Sequence, residues 1–183
     1  STKLIQVQRD RFIRNWRMGQ PPQHDEYPRY DVLRPRFATD WQRFVEFLER
    51  EGLGRPEINQ CEVTYVNHVE LGVGWEKLGE AHKVLGMLRG MEKREILPEP
   101  EIVILNARYL MPEGRGRLHV SAQPAIRRSD GKQVLQLTLT ARGKPDSSAL
   151  DDILRWFDEG HNWIVHGFVD VTTPAMHQTW GRL

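Results

Sequence analysis

Residues 118–143, LHVSAQPAIRRSDGKQVLQLTLTARG, carry the strongest structural signal in this chain, because two alternating runs flank the dipeptide Asp130–Gly131. Asp-Gly is a two-residue turn signal of β-hairpins. When these two residues form the loop, one face of the hairpin is wholly apolar, which makes the register self-consistent. The predicted apolar pairs are Ile126 with Leu135, Pro124 with Leu137, Ala122 with Leu139, and Val120 with Ala141.

The other face of this hairpin is polar but nearly free of carboxylates and lysines. Its predicted pairs are Ala125 with Gln136, Gln123 with Thr138, Ser121 with Thr140, and His119 with Arg142. A face that is merely solvated usually carries more charge, so we interpret this one as a candidate binding face. An ordinary solvent-exposed face is the alternative. The residues assigned to it are Asn106, Arg108, His119, Ser121, Gln123, Gln136, Thr138 and Thr140.

Three consecutive alternating runs, 101–111, 117–127 and 133–143, predict an antiparallel meander with short turns. In the first run, alternation against Leu105, Ala107 and their neighbours places Asn106 and Arg108 on the polar side.

A long helix is predicted over 147–168, with Asp146 or Ser147 as its cap. One stripe of this helix is apolar and must cover a partner, and the apolar face of the meander is the obvious one. The sequence therefore predicts an α+β fold, helix-grip-like, in which helices pack on one face of an antiparallel sheet. The stripe consists of Leu150, Leu154, Phe157, His161, Ile164 and Phe168.

The remaining elements are shorter. Strands over 4–8 and 11–16 surround an Arg9–Asp10 turn, with one long strand as the alternative. An echo between residues 4–8 and 134–138 predicts two sheet-then-helix halves. The other predicted elements are a proline-containing loop over 18–36, a helix from a Thr39 cap to Gly52, a strand over 59–69, a weak helix over 75–90, and a short helix after Thr173–Pro174.

Composition narrows the class of protein. At 183 residues we expect one α+β domain over 1–183. The 26 basic and 25 acidic residues give a net charge of +1, so no overall field draws the chain to nucleic acid or anionic lipid. No apolar run approaches the roughly 20 residues that span a bilayer, so no membrane partner is predicted.

Two features of the sequence bear on its compartment. The single cysteine, Cys61, excludes an internal disulfide, and no signal peptide opens the chain. Both features predict a cytoplasmic protein. The chain starts in a strand-like run without methionine, which predicts a preceding N-terminal segment in the full-length protein.

No catalytic signature is present, so we predict a non-enzyme without a cofactor. The seven histidines include no pair spaced for a metal on one helix face, so no metal site is predicted. We interpret His161 as a core histidine and Cys61 as a small buried hydrophobe rather than a nucleophile. Asp151 and Asp152 suit a helix start better than acid-base chemistry.

Arginines interleaved with aromatic residues near the N-terminus predict an alternative function, binding to nucleic acid. A backbone-tracking surface with stacking rings needs this combination of residue types. The null hypothesis is a neutralised network, since Asp10, Asp31 and Asp40 lie close by in the sequence. The candidate nucleic-acid residues are Arg9, Arg11, Arg14, Arg17, Tyr27, Arg29 and Tyr30.

Several segments resemble a sporadically distributed family of uncharacterised bacterial proteins. They are QVQRDRF at 6–12, NWR at 15–17, YPRY at 27–30, NQCEVTYVN at 59–67, LPEPE at 97–101 and the helix over 161–168. The resemblance implies a bacterial, cytoplasmic protein with a longer N-terminus, and it supplies no catalytic residues.

The leading functional prediction is a binding or assembly module that uses the polar sheet face, with a protein partner or a second copy of the chain. Nucleic-acid binding through residues 9–36 is the first alternative. A small-molecule-binding protein or an enzyme with a cleft on the sheet is the second.

Overall fold

The computed structural model describes residues 2–18, 27–90 and 95–181 and has an α+β fold with two antiparallel sheets. The predicted fold class is confirmed. The chain divides into two compact units, the first made of residues 1–58 and 147–154 and the second of 59–146 and 155–183. A single domain over the whole chain stays a prediction. Within the described ranges, no helix has the length and apolar character needed to cross a bilayer.

The first unit contains a hairpin followed by a helix. Strands β1 (Lys3–Gln8) and β2 (Arg11–Trp16) pair antiparallel around the two-residue Arg9–Asp10 turn, so the predicted hairpin is confirmed over the single-strand alternative. The helix α1 spans Tyr30–Arg50. Phe12 of β2 contacts three rings of α1, with centroid distances of 5.1 to 5.9 Å.

Helix α1 begins nine residues earlier than the predicted Thr39 cap. Thr39 lies inside the helix, and its hydroxyl donates to the carbonyl of Pro35 at 3.1 Å. The predicted loop over 18–36 is wrong for residues 30–36, which belong to α1, and residues 19–26 lie outside the described ranges. A proline inside a helix removes one backbone hydrogen bond, which is why Pro35 was expected in a loop. The aromatic stripe that packs on Phe12 outweighs this loss. The predicted end at Gly52 is close, since Gly52 has a φ of +70° and its N–H donates to Glu49.

The second unit is built on a four-stranded sheet with the order β3-β6-β5-β4. The last three strands form the predicted antiparallel meander, and β3 pairs antiparallel with β6. The strands are β3 (Cys61–Glu70), β4 (Leu105–Leu110), β5 (Gly116–Ile126) and β6 (Gln133–Gly143).

Strand β4 is shorter than the predicted 101–111, because its pairing with β5 stops at Leu105 opposite Ala122. Beyond that point β5 has only β6 beside it, and Pro124 lies in this stretch. A proline has no N–H to donate, so it favours a position without a second neighbouring strand. Ile102 and Ile104 are accordingly exposed.

The predicted register of the β5–β6 hairpin is wrong by two residues. Ile126 pairs with Gln133 and Pro124 pairs with Leu135. The N–H of Arg127 donates to the carbonyl of Lys132 at 2.8 Å, so four residues form the loop instead of Asp130–Gly131 alone. In this loop the N–H of Gly131 donates to the Arg127 carbonyl at 2.9 Å. Gly131, at a φ of +71°, supplies the left-handed conformation that such a longer loop needs.

A slip of two residues leaves the faces of the hairpin unchanged, because side chains alternate with a period of two. The predicted apolar face is therefore buried, apart from the half-buried Pro124 and from Ile126, which is 71% exposed at the end of β5. The buried members are Leu118, Val120, Ala122, Leu135, Leu137, Leu139 and Ala141.

The segment predicted as a helix over 75–90 consists of three short pieces. Turns of 3₁₀ helix at Leu78–Glu80 and Gly86–Leu88 flank the helix α2 (Ala81–Val84). One reason is Gly79, where an added Cβ would lie 2.4 Å from the carbonyl oxygen of Pro100. The backbone at Pro100 thus lies where a side chain at position 79 of a regular helix would project.

The long helix α3 (Leu150–Val171) covers the apolar face of the sheet through its residues in the second unit, as predicted. The predicted stripe is correct in this unit only at Ile164, because Phe157, His161 and Phe168 are half-buried. The other buried positions of this part of the helix are Trp156, Gly160 and Val171. Two glycines permit close approach: a Cβ at Gly160 would lie 3.3 Å from that of Ala141, and one at Gly167 would lie 2.6 Å from Leu118 Cδ2.

Neither predicted cap of α3 is correct, because the helix begins at Leu150. The Ser147 hydroxyl accepts the N–H of Ala149 at 3.0 Å in the preceding turn. Asp146 binds Arg115 and Arg155 instead.

The last helix, α4 (Pro174–Thr179), begins where it was predicted. Its N-cap is Thr173, whose hydroxyl accepts the N–H of Met176 at 3.4 Å.

Candidate binding face

The four strands of the second unit place their polar side chains on the sheet face opposite α3. We call this the polar sheet face. Cross-strand pairing arranges its residues in rows: Arg108, His119, Thr140 and Thr64 form one row, Asn106, Ser121, Thr138 and Val66 the next, and Gln123, Gln136 and His68 a third. All eight residues predicted for the binding face lie here, and the two-residue slip changes only which of them are neighbours.

One end of the polar sheet face is a basic cluster of Arg108, Arg117, Arg142 and His119. Arg108 lies directly opposite His119, and Arg117 lies opposite Arg142. Directly opposed side chains on one sheet face have Cβ atoms about 4.5–5.5 Å apart. The charges therefore act on the half-buried imidazole. Burial, followed by the guanidinium groups of Arg108, Arg142 and Arg117, lowers the pKa of His119 below its ordinary value of 6.5.

Two guanidinium groups of the basic cluster have no counter-ion among the residues that the structure describes. Glu62, which lies opposite Arg142, forms an ion pair with it at 2.7 Å. Arg108 and Arg117 are exposed and form no ion pair with any residue that the structure describes. The cluster consequently has an unbalanced positive charge at the end of an otherwise uncharged set of rows.

Two other arginines of this unit, Arg115 and Arg127, are neutralised by carboxylates. Arg115 binds Glu159 at 2.6 Å, and Arg127 binds both Glu70 and Asp130. The hydrogen bonds that Arg127 donates to Asp130 and Glu70 raise its pKa above the ordinary value. The basic cluster differs from these sites, since like charges are gathered without compensation.

The middle of the polar sheet face offers uncharged hydrogen-bonding groups. The Thr64 and Thr140 hydroxyls bond to each other at 3.0 Å. Val66 is 54% exposed on the edge strand β3, at the end of the second row, and supplies an apolar contact surface. Within the described strands this face carries no Phe, Tyr or Trp, so it has no ring on which a nucleic-acid base could stack.

Sequence reasoning missed Arg117 and the whole contribution of β3, which is Glu62, Thr64, Val66 and His68. Strand β3 is separated from β6 by more than sixty residues, so no local pattern indicates that the two pair. The alternation of polar and apolar residues in β3 was the only available signal, and it shows that one face is exposed without showing which strand lies beside it.

The predicted nucleic-acid residues occupy several elements of the first unit. Arg9 lies in the β1–β2 turn, Arg11 binds Asp10 at 3.2 Å, and Arg14 forms an ion pair with Asp40 of α1. Arg17 follows β2, Arg29 precedes α1, and Tyr30 is the first residue of that helix. Tyr27 packs against Trp16 with a centroid distance of 5.0 Å. Arg11 and Arg14 thus both have carboxylate partners, as the neutralised-network interpretation expects.

The two residues weighed for other chemistry are both in the second unit. His161 lies between α3 and the sheet, as predicted, and its Nδ1 forms a 2.8 Å hydrogen bond with the Tyr65 hydroxyl. Cys61 is buried, and burial raises the pKa of its thiol to about 12, which keeps it protonated. The described ranges contain no group of three or more His, Cys, Asp or Glu residues that could hold a metal ion.

Comparison with known proteins does not assign this arrangement, because no protein-family model, curated protein or solved structure matches the chain.

Proposed function

We propose that this protein is a non-catalytic binding module whose polar sheet face docks an acidic protein segment. The observation that carries the proposal is the uncompensated pair of guanidinium groups, Arg108 and Arg117, beside His119. Gathering like charges on one sheet face costs folding free energy, since directly opposed like charges destabilise a sheet. A carboxylate partner removes this cost.

The ligand class follows from the charge of the cluster and the polarity of the rows beside it. Arginine forms bidentate, charge-assisted hydrogen bonds with carboxylates. The neighbouring Asn106, Ser121 and Gln123 offer both donors and acceptors, which suits the backbone and side chains of a peptide. The lack of aromatic residues on this face favours a protein segment over single-stranded nucleic acid. The bacterial and cytoplasmic setting remains part of this proposal.

The test is fluorescence anisotropy with a labelled twelve-residue acidic peptide and, in parallel, a labelled twelve-nucleotide thymidine strand. The double variant Arg108→Gln/Arg117→Gln should weaken binding of the peptide by about tenfold or more, since two charge-assisted contacts are lost. The matched control is Arg9→Gln/Arg17→Gln, which removes the same charge from the first unit and should leave the peptide affinity within about twofold.

Three results would overturn the proposal. One is an acidic peptide that does not bind, and another is an affinity that the two double variants lower equally. The third is tighter binding of the thymidine strand that depends on Arg9 and Arg17, which would establish the nucleic-acid alternative instead. Light scattering measures the mass of the free protein and so tests whether a second copy of the chain occupies the polar sheet face. A dimer that Arg108→Gln/Arg117→Gln dissociates would replace the acidic segment with the chain itself.

A further inference from the structure

A separate cleft of about 340 Å³ opens in the second unit on the other side of the sheet. It lies beside the C-terminal half of α3, where the helix passes the edge strand β4 and the 3₁₀ turn Gly86–Leu88. Ligand pockets typically have volumes of roughly 300–1,000 Å³, so this cleft suits a small molecule. It shares no residue with the polar sheet face.

The floor and walls of the cleft are apolar and aromatic. Leu118 and Val171 lie at its floor and are 2% and 5% exposed. Met87, Tyr109 and Trp163 form its sides. The Tyr109 hydroxyl donates to the Met87 sulfur at 4.0 Å, which joins β4 to the 3₁₀ turn across one wall. Two aromatic side chains therefore border a space that is large enough for a substituted benzene ring.

A glycine of α3 forms part of the cleft lining. Gly167 lines it, and a Cβ at this position would lie 2.6 Å from Leu118 Cδ2. The helix can therefore approach β5 closely here while it leaves the space above Gly167 unfilled. Trp163 and Val171 lie one turn before and one turn after this residue, so a single helical stripe lines the cleft.

One formal charge, the carboxylate of Asp170, borders this space. Asp170 lies in the last turn of α3, where the helix dipole already places partial negative charge, and no basic residue occupies that turn. It forms no ion pair with any residue within the described ranges. Asp170 is exposed, and a bound cation would be attracted both to its carboxylate and to the negative end of the helix dipole.

We propose that this cleft binds a small organic cation, an amine with an aromatic or aliphatic body. The ammonium group would lie against Asp170, and the apolar body would contact Leu118 and Val171. Trp163 and Tyr109 add attraction, since the face of an aromatic ring attracts a cation. Asn162 and His166, at the exposed rim, offer hydrogen-bonding groups. A carboxylate ligand of the same shape is disfavoured by repulsion from Asp170.

The test uses three probes of matched shape, 2-phenylethylamine, 2-phenylethanol and phenylacetate, at pH 8. Binding is followed through the indole N–H resonance of Trp163 in ¹H–¹⁵N correlation spectra, assigned by its loss in Trp163→Phe. The amine should bind at least about tenfold more tightly than phenylacetate, with the alcohol between them.

Variants separate the role of Asp170 from a general charge effect. Asp170→Asn should weaken the amine by about fivefold or more and bring the three probes within about threefold of one another. The control Asp151→Asn removes an exposed carboxylate at the opposite end of the same helix and should change neither value. Equal affinities in the unmodified protein, a preference for phenylacetate, or an unmoved Trp163 resonance at about 10 mM amine would each overturn the proposal.

Discussion

The hydrogen bond between Tyr65 and His161 is the clearest link between α3 and the sheet, and removing it gives a quantitative prediction. The two side chains are half-buried, and their 2.8 Å bond joins the Tyr65 hydroxyl to His161 Nδ1. The rings also lie 5.7 Å apart between centroids. Tyr65→Phe removes the hydroxyl and keeps the ring, so it isolates the hydrogen bond from the packing.

The size of the change in stability follows from the burial of the two groups and from the neutral character of their hydrogen bond. A neutral hydrogen bond contributes about 0.5–1.5 kcal/mol to stability, and a buried group left without its partner costs about 1–3 kcal/mol. Because both groups keep some exposure, we expect Tyr65→Phe to lower the free energy of unfolding by about 1 kcal/mol. The double variant Tyr65→Phe/His161→Leu should cost less than the sum of the single variants, with a coupling of about 1 kcal/mol.

Urea unfolding followed by circular dichroism gives these free energies. The matched control is Tyr109→Phe, whose hydroxyl makes only the 4.0 Å contact to the Met87 sulfur, and it should cost less than about 0.5 kcal/mol. The reasoning is refuted if Tyr65→Phe and Tyr109→Phe are equally stable, or if the coupling with His161→Leu is below about 0.3 kcal/mol.

Two further predictions concern titration. Because the pKa of Cys61 is raised to about 12, its thiolate fraction at pH 8 is about 10⁻⁴ instead of about one tenth for an ordinary cysteine. Ellman's reagent should therefore react at least about a hundredfold more slowly with the folded protein than with the protein unfolded in urea. Equal rates would contradict the burial of Cys61. For His119, Arg117→Gln should raise the pKa seen by NMR towards 6.5, because a repelling charge is removed, whereas Arg128→Gln in the hairpin loop should leave it unchanged. Since the folded pKa of His119 is depressed, protonation of this residue favours unfolding. The free energy of unfolding should therefore fall as the pH is lowered below about 6.5, and the fall should be smaller in Arg117→Gln.

Local patterns in the sequence were sufficient for the elements whose partners lie nearby. The β1–β2 hairpin, the meander and the start of α4 at Pro174 all depend on neighbouring residues. The assignment of side chains to faces was equally robust, because alternation has a period of two. Ser121 and Thr138 therefore lie on the predicted polar face although their predicted partners were wrong.

Tertiary structure alone determined the features that depend on distant contacts. Packing of α1 against Phe12 carries that helix through Pro35, against the local propensity of proline to end a helix. The hairpin register follows from a four-residue loop, and the Asp-Gly dipeptide by itself does not distinguish this loop from a two-residue turn. Both outcomes depend on packing energies that no local pattern contains.

The two proposed sites also depend on contacts between residues that are distant in the sequence. The polarity of the sheet face could be predicted from alternation within its strands, whereas the basic cluster forms only when Arg108, Arg117 and Arg142 are brought together from three strands. The cleft requires Asp170 and Trp163 of α3 to lie beside Met87 and Tyr109. Sequence determines which side chains are available and which face they occupy, because those properties are local. The pairing and packing of distant elements determine which side chains meet, because that depends on the free energy of the whole unit.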